Sequence, residues 1–389
     1  SFRRFVLHHA KLAEAAGGVD VFILGSEMRG LTTIRDSATN YPAVAKLKTL
    51  AGDVRGIVGE ECTLTYAADW SEYFGHQPAD GSGDVFFHLD PLWADENIDV
   101  VGIDWYPPLS DWRDGSSHLD AALAPRIYDA DYLEGRIEAG ENFDFYYASD
   151  GARAAQTRST ISDGAYAKPW VFRAKDVRAW SGNLHYDRPG GVESATPTAW
   201  TPGLKPIWFT ELGCPAIDKG ANSPNLFFDP KSTESAAPPF SSGARDDLIQ
   251  RRTLEAYLRH WDGDGPVDPD GIFVWAWDAR PYPAYPARAD VWSDGASWRL
   301  GHWLNGRAGI AELPAIVADI CRRADVTEID VAGLSGAVTG YVADAPASAR
   351  DALEPLMLAH DFSVSERDGA LVFAHRGEGD VVALTIDQL

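Results

Sequence analysis

The sequence contains little cysteine and no long apolar run. Its three cysteines are far apart and odd in number, and no CxxC spacing occurs, so neither a disulfide framework nor a zinc site is indicated. No apolar run reaches the roughly 18–20 residues of a membrane span, and the first residues show no apolar core of a signal peptide. We therefore expect no membrane insertion. Because the chain starts at Ser1 and has no initiator methionine, we also expect it to be part of a longer chain.

Basic residues are also scarce relative to acidic ones. The 389 residues include 34 Lys and Arg against 58 Asp and Glu, which gives a formal net charge of −24. Direct binding to nucleic acid or to an anionic membrane requires clustered cations, so neither is expected. Apolar residues make up 45% of the chain, which indicates a globular protein and not a disordered one. The 14 tryptophans require either a large core or a ligand that stacks on them.

Short apolar runs alternate with helical patterns along most of the chain. The runs predict strands at 19–27, 62–69, 98–106, 206–211 and 271–277, and the helical patterns predict helices at 2–16, 42–58, 245–261 and 313–324. Such alternation indicates an α/β protein with a parallel sheet, either doubly wound or a TIM (β/α)8 barrel. No GxGxxG or GxxxxGK[ST] motif follows a strand. Polar residues instead end several strands, as in the barrel. We predict a TIM-type barrel in which strands four to eight are visible and the first three lie upstream of Ser1.

The pattern also predicts two domains. Residues 1–325 form the barrel domain, with a long insertion at about 109–204 that is rich in Gly, Ser, Asp and Pro. Residues 326–389 read as a small α+β module of order β-α-β-β, in which the pair Asp368-Gly369 predicts a hairpin turn.

Two strand-terminal glutamates are the strongest candidates for chemistry. Glu27 and Glu211 each follow a predicted strand. If strand alternation holds, Gly25 faces inward with Glu27, and Phe209 faces inward with Glu211. Two carboxyl groups about 5–5.5 Å apart are what a retaining glycosidase uses as nucleophile and acid/base. The alternative interpretation is that each carboxylate is simply solvated in a loop.

Other strand ends supply candidates for substrate binding. A hydroxyl at Tyr106 could hydrogen-bond a nucleophilic carboxylate, and Trp277 could stack on a sugar ring, whereas Trp275 is expected to pack in the core. For Tyr106 and Trp277, the alternative interpretation is that the side chain packs in the core. The full set of candidates is Ser26, Asp69, Trp70, Asp104, Tyr106, Trp277, Asp278 and Arg280, with His88 and Asp90 as weaker ones. No HExxH, DxDxDG or GxSxG motif occurs, so we predict no metal and no cofactor.

Several long motifs resemble a known family. These are residues 22–32 (FILGSEMRGLT), 205–225 (KPIWFTELGCPAIDKGANSPN), 104–108 (DWYPP), 229–235 (DPKSTES) and 245–250 (RDDLIQ). They resemble the TIM-barrel-like domain of gene transfer agent and phage tail proteins, over about residues 1–315. Residues 349–356 and 366–373 look like the start of a neighbouring phage tail module.

The resemblance implies specific roles for the glutamates. The family is similar to retaining glycoside hydrolases with the acid/base after the fourth strand and the nucleophile after the seventh. Carried over, Glu27 is the acid/base and Glu211 the nucleophile. Many such enzymes have Asn before the acid/base, where it binds the sugar 2-hydroxyl. Here the residue is Ser26.

The resemblance also implies a setting. We expect a tail or baseplate protein of a phage-like particle, made in the cytoplasm, that hydrolyses envelope or capsular polysaccharide. Its partners would be a cell-surface glycan, neutral or cationic because the chain is acidic, and other baseplate proteins, with a homo-oligomer left open. Two alternatives remain: a non-catalytic structural or receptor-binding module, and a non-glycosidic hydrolase that uses the same carboxylates.

Overall fold

The computed structural model describes residues 1–37, 39–229, 232, 235–307, 309–342 and 346–377. The chain divides into two compact units, Ser1–Leu304 and Asn305–Leu389. Residues 378–389 of the predicted C-terminal module lie outside the described residues, as do positions 230, 231, 233 and 234 of the 229–235 motif. Among the described residues, no helix is both long and apolar enough to cross a membrane.

A five-stranded parallel sheet organises the first unit. Its strands are β1 (Val21–Ser26), β2 (Thr63–Asp69), β3 (Val101–Trp105), β4 (Ile207–Leu212) and β5 (Val267–Val274). Their order in the sheet is their order in the chain, and every pair is parallel. A doubly wound sheet instead reverses its strand order at a switch point. Uninterrupted sequential order is the arrangement of a TIM barrel, so the predicted fold class is confirmed.

Three long helices cover the outer face of this sheet. They are α1 (Phe2–Ala15), α2 (Pro42–Val58) and α3 (Asp247–His260). Proline at the first position favours the start of α2, and the Asp246 side chain caps α3 by accepting a hydrogen bond from the Ile249 amide at 3.1 Å. The main core lies between helices and sheet, where residues such as Leu24, Leu64, Ile103 and Phe209 pack against Val6, Leu47 and Tyr257.

The remaining elements of this unit are short. The α-helical turns are Arg29–Thr32, Asp90–Trp93, Ala130–Gly135, Asp150–Ala154, Val177–Gly182 and Ala284–Ala287. The 3₁₀ turns are Leu119–Ala122, Pro169–Phe172, Pro189–Gly191, Gly220–Asn222 and Gly295–Arg299. Strands Phe145–Tyr146 and Ser159–Thr160 form a two-residue ladder.

A buried lysine holds the insertion between β3 and β4 in place. The Lys175 ammonium is completely buried, and it donates to the carbonyl oxygens of Pro108, Arg136 and Ala139 at 2.7, 2.6 and 2.7 Å. An ammonium group with three donors is satisfied by three such acceptors. Lys175 therefore ties two segments of the insertion to the loop that follows β3.

Strand β5 begins and ends earlier than the sequence predicts. It covers Val267–Val274, whereas the apolar run predicted 271–277. From the pair Ile207–Val267 to the pair Phe209–Ile272, β5 advances by five residues while β4 advances by two. This bulge accommodates Pro269, a residue that argues against a strand in the sequence. Trp277 consequently lies beyond the end of the strand.

The second unit contains a three-stranded sheet and two helices. In chain order they are α4 (Leu313–Arg323), β6 (Ile329–Gly333), α5 (Ala349–Ala359), β7 (Phe362–Arg367) and β8 (Ala370–His375). Strand β8 pairs antiparallel with β7 and parallel with β6, and Ala311–Glu312 pairs with Ala337–Val338. The turn between β7 and β8 has Asp368 and Gly369 at φ 50° and 81°. Positive φ at both positions is what a type I′ hairpin turn requires, so the predicted hairpin is present.

Helix α4 belongs to the core of this second unit. Its residues Leu313, Val317 and Cys321 are buried with Leu353 of α5 and Phe373 of β8. For this reason the chain divides between residues 304 and 305, about twenty residues before the boundary that the change in composition predicted.

Candidate active site

A cleft of about 770 Å³ opens at the carboxyl ends of the strands in the first unit. This volume is in the range of small-molecule sites, which span roughly 300–1,000 Å³. All five strands contribute to its walls, either with their last residues or with the loops that follow them. The lining residues are Glu27, Arg29, Asp69, Tyr106, Glu211, Asn225, Leu226, Phe227, Phe228, Asp229, Trp275, Ala276, Asp294, Gly301, His302 and Trp303.

A bulge in β1 directs Glu27 into this cleft. Between consecutive paired positions, β1 carries one residue more than β2, so Ile23 and Ser26 share a face. Gly25 faces the helices instead, because a Cβ built on it would lie 3.2 Å from the Phe2 ring of α1. The predicted alternation, with Gly25 inward, was therefore wrong. Glu27 itself adopts a left-handed backbone with φ 52°, which turns its side chain toward the cleft.

A second bulge, in β4, does the same for Glu211. Phe209 lies in the helix-side core, stacked on Trp105 with ring centroids 4.8 Å apart, so the prediction that it faces inward was also wrong. One extra residue in β4 then separates the two positions that pair with consecutive residues of β3. As a result Thr210 and Glu211 both face the inside of the barrel, where the Thr210 hydroxyl donates to Asp104 at 2.8 Å.

Glu211 receives a strong hydrogen bond. The Tyr106 hydroxyl donates to its Oε2 at 2.7 Å, and Tyr106 is itself buried. Partial burial raises the pKa of Glu211 to about 7, and the negative charge of Asp104 adds to the rise, while the hydrogen bond from Tyr106 opposes it. Tyr106 thus stabilises the ionised form of Glu211, as the sequence predicted for this hydroxyl.

Glu27 lies in a more negative environment. Although its side chain is exposed to the cleft, desolvation by the cleft walls raises its pKa to about 7, together with the charges of Asp104, Asp69, Glu211 and Glu72. In the described ranges no side chain donates a hydrogen bond to its carboxylate. The pKa of both glutamates is thus raised to about 7, and what distinguishes them is that Glu211 accepts a hydrogen bond from Tyr106, which stabilises its ionised form.

Two predicted substrate contacts bond to each other. Asp104 is only 1% exposed, and its Oδ2 accepts a hydrogen bond from Ser26 Oγ at 2.7 Å. Its Oδ1 accepts the bond from Thr210. The Asp104 carboxylate therefore lies beneath the cleft surface, with both oxygens occupied by hydroxyl groups of the protein.

Of the two candidates at the end of β2, Asp69 lies in the cleft and Trp70 does not. Asp69 lines the cleft, and its Oδ1 accepts hydrogen bonds from the amide and the hydroxyl of Ser71. The Trp70 side chain instead packs against the hydrophobic core, where it contributes to stability.

The candidates after β5, Asp278 and Arg280, do not line the cleft but hold residues that do. The Arg280 guanidinium bonds to Asp278 and Asp294, with distances to Asp294 of 2.8 and 2.9 Å. It also stacks on the Tyr285 ring, 3.7 Å from the centroid. Asp278 accepts a hydrogen bond from Trp303, and these bonds lower the pKa of Asp278. Asp278 and Arg280 thus orient cleft residues from behind.

The stacking aromatics differ from those predicted. Trp277 is 69% exposed and lies outside the cleft lining, whereas Trp275, expected in the core, lines the cleft and is 50% exposed. Trp303, Phe227 and Phe228 also line it and were not predicted. The phenylalanines adjoin the 205–225 motif, which could have drawn attention to them, but no sequence signal distinguishes Trp303.

The weaker candidates lie elsewhere in the unit. His88 is buried beside Tyr41, with ring centroids 5.2 Å apart, and burial lowers its pKa to about 3. Asp90 is buried and bonds to His185 at 2.9 Å. In the part of the chain that the structure describes, no group of three or more His, Cys, Asp or Glu residues could hold a metal ion.

A parallel sheet in barrel order, with two carboxylates in a cleft at its carboxyl end, defines a TIM-barrel-like domain. The chain belongs to the gene transfer agent (GTA) TIM-barrel-like domain family, whose model matches residues 1–286. Residues 348–389 match the model of a putative phage tail protein. Both resemblances predicted from the motifs are confirmed.

The solved structures that are similar to this chain include two glycoside hydrolases of family GH113. One is the β-mannanase AaManA from Alicyclobacillus acidocaldarius in complex with ManMIm, at 16% identity and TM-score 0.37, covering 79% of this chain and 57% of that one. The other is a β-1,4-mannanase at 17% identity and TM-score 0.32, covering 71% of this chain and 50% of that one. The chain thus spans about half the length of these structures. A search of curated proteins finds no match.

Proposed function

We propose that the first unit is a retaining glycoside hydrolase that cleaves cell-envelope or capsular polysaccharide. The observation that supports this most is the asymmetry of two carboxylates in one cleft. Tyr106 donates to Glu211, while Glu27 faces several negative charges. Retaining hydrolysis requires one ionised carboxylate and one protonated carboxyl, and this asymmetry supports Glu211 as the ionised group and Glu27 as the protonated one.

The proposed reaction has two steps. Glu211 attacks the anomeric carbon while Glu27 transfers its proton to the glycosidic oxygen, which leaves with the aglycone. Glu27, now ionised, then takes a proton from water as that water attacks the glycosyl–Glu211 ester. Release of the sugar returns both groups to their starting states. Trp275 and Trp303 lie in the cleft walls, where indole rings can stack on sugar faces.

Trapping of the covalent intermediate tests this proposal. The chain is incubated with 2,4-dinitrophenyl 2-deoxy-2-fluoro glycosides of glucose, mannose and galactose, and the mass of the intact protein and its peptides is measured. We expect one sugar attached at Glu211, no labelling of Glu211→Gln, and normal labelling of Glu61→Gln, a change at an exposed glutamate. Labelling at another residue would refute the assignment.

A non-catalytic glycan-binding module is the second candidate, and Ser26 favours it. In similar glycoside hydrolases the residue before the acid/base is often Asn and contacts the sugar 2-hydroxyl. The Ser26 hydroxyl instead donates to Asp104. This candidate predicts that glycan binding survives Glu211→Gln and that the unaltered chain turns over no glycoside.

We further propose that the protein acts in the tail or baseplate of a phage-like particle, where its partners are host glycans and other baseplate proteins. The match of residues 348–389 to a phage tail protein supports this setting. Immunogold labelling of purified particles tests it. Gold at the tail tip is expected, and gold restricted to the capsid would contradict the proposal.

A further inference from the structure

The two glutamates are connected beneath the cleft by a single buried group. Ser26 is the residue immediately before Glu27, and Thr210 is the residue immediately before Glu211. Both hydroxyls donate to the same carboxylate, that of Asp104, at 2.7 and 2.8 Å. A short chain of hydrogen bonds therefore joins the backbone at one glutamate to the backbone at the other.

This connection acts on the bulges of β1 and β4. Bulges lack the regular ladder bonds that hold a strand in register, so their geometry depends on local contacts. Ser26 ends the bulged part of β1, and Thr210 is the extra residue in β4. Asp104 lies on β3, which pairs directly with β4 and is separated from β1 only by β2.

The charge of Asp104 is costly for the fold. Among the described residues, no Lys, Arg or His forms an ion pair with it. Asp120, which is equally buried, is paired with Arg158 at 2.6 Å. A buried carboxylate with only hydroxyl partners destabilises a protein relative to a neutral isostere, so its presence calls for a function.

We propose that Asp104 is a positioning residue that sets both the separation and the proton affinity of Glu27 and Glu211. The titratable groups around it are these glutamates, Asp69 of β2, Tyr66 of β2 and Tyr106 after β3. No cation among the described residues offsets its charge. Asp104 therefore makes both glutamates harder to ionise, and through its two hydroxyl partners it keeps them at a fixed distance. The catalytic part of this inference rests on the function proposed above.

An isosteric variant separates charge from position. In Asp104→Asn the amide oxygen still accepts from one hydroxyl, and the amide NH₂ donates to the other, which now acts as acceptor. The geometry is kept and the charge is lost. In Asp104→Ala both are lost. The matched control is Asp53→Asn, which removes a negative charge from the outer helix α2.

The first measurement requires no substrate. The side-chain carboxyl pKa values of Glu27 and Glu211 are determined by ¹³C NMR on the full chain, with assignments from Glu27→Gln and Glu211→Gln. We expect Asp104→Asn to lower both values, by on the order of one unit, because a nearby negative charge has been removed. Asp53→Asn should leave both unchanged. Unchanged values in Asp104→Asn, or a shift of only one glutamate, would overturn the proposal.

The second measurement tests position. If the chain labels with a fluorosugar, Asp104→Asn should label at a rate within about tenfold of the unaltered chain, with its pH profile moved to lower pH. Asp104→Ala should lose labelling by more than about a hundredfold. Equal labelling by Asp104→Ala would overturn the positioning role. If the unaltered chain does not label, the proposed hydrolase fails, and the NMR titration still decides the role of Asp104.

Single hydroxyl variants guard against failure of Asp104→Ala to fold. Ser26→Ala should move the pKa of Glu27 more than that of Glu211, and Thr210→Val should do the reverse. Identical effects of the two variants would contradict separate connections to the two glutamates.

Discussion

Removal of the Tyr106 hydroxyl should raise the pKa of Glu211. The Tyr106→Phe variant keeps the ring, which packs edge-on against His302 with centroids 5.7 Å apart, and deletes only the donor that lies 2.7 Å from Glu211 Oε2. A hydrogen bond to a charged group contributes about 1.5–3 kcal/mol, and one pKa unit corresponds to about 1.4 kcal/mol. Loss of this hydrogen bond should therefore raise the pKa of Glu211 by about one to two units.

The lower limit applies because Glu211 opens into the cleft, where water replaces part of the lost bond. The pKa of Glu211 should thus rise from about 7 to roughly 8. At pH 7 its ionised fraction should fall from about one half to about one tenth. The sign is opposite to that expected for Asp104→Asn, because Tyr106 stabilises the anion and Asp104 repels it.

The assay is ¹³C NMR titration of the Glu211 carboxyl, combined with the rate of fluorosugar labelling. We expect labelling at pH 7 to slow about fivefold and to recover near pH 9, where Glu211 is ionised again. Tyr146→Phe, a change at an exposed tyrosine, is the control and should alter neither quantity. A Glu211 pKa that stays near 7 or falls in Tyr106→Phe would show that this hydroxyl does not stabilise the anion.

Three further predictions concern stability and binding. Because the pKa of Glu211 is raised from 4.5 to about 7, the folded state loses stability as pH rises from about 4.5 to 7. Glu211→Gln should therefore raise the melting temperature by a few degrees at pH 8 and not at pH 4. An equal effect at both pH values would contradict this linkage. Lys175→Met leaves three buried carbonyls without a donor, so it should lower the free energy of unfolding in urea by about 3 kcal/mol or more. The control Lys46→Met, at an exposed position of α2, should change that free energy little. In affinity electrophoresis through mannan, xylan or chitosan gels, Trp303→Ala should abolish any retardation shown by the unaltered chain and Trp277→Ala should not, because Trp303 lines the cleft and Trp277 does not. The reverse result would place the ligand elsewhere.

Much of the architecture could be predicted from local patterns. Apolar runs that alternate with helical periodicity indicate a parallel sheet, since only crossover helices connect parallel strands over such distances. Carboxylates at the ends of parallel strands must then meet at one edge of the sheet, so the residue types at two strand ends are enough to pair Glu27 with Glu211. The hairpin at Asp368-Gly369 was equally local, because positive φ at consecutive positions has a clear sequence signature.

The direction of side chains could not be predicted in this way. Alternation placed Gly25 and Phe209 inside the barrel, and both face the helices, because bulges in β1 and β4 shift the phase of each strand by one residue. A bulge is set by the register between two strands that are distant in sequence, and neither strand records it alone.

The chemical character of the site likewise depends on contacts across strands. Residue types alone made Asp104 a substrate ligand and Trp277 a stacking platform. In the fold, hydroxyls from two other strands enclose Asp104, and the early end of β5 leaves Trp277 outside while Trp303 enters from a later loop. Short segments of the chain are thus enough to determine the strand order and to identify the two glutamates. The orientation and proton affinity of those glutamates arise only when β1, β3 and β4 lie side by side, because hydrogen bonds and charge interactions act through space and not along the sequence.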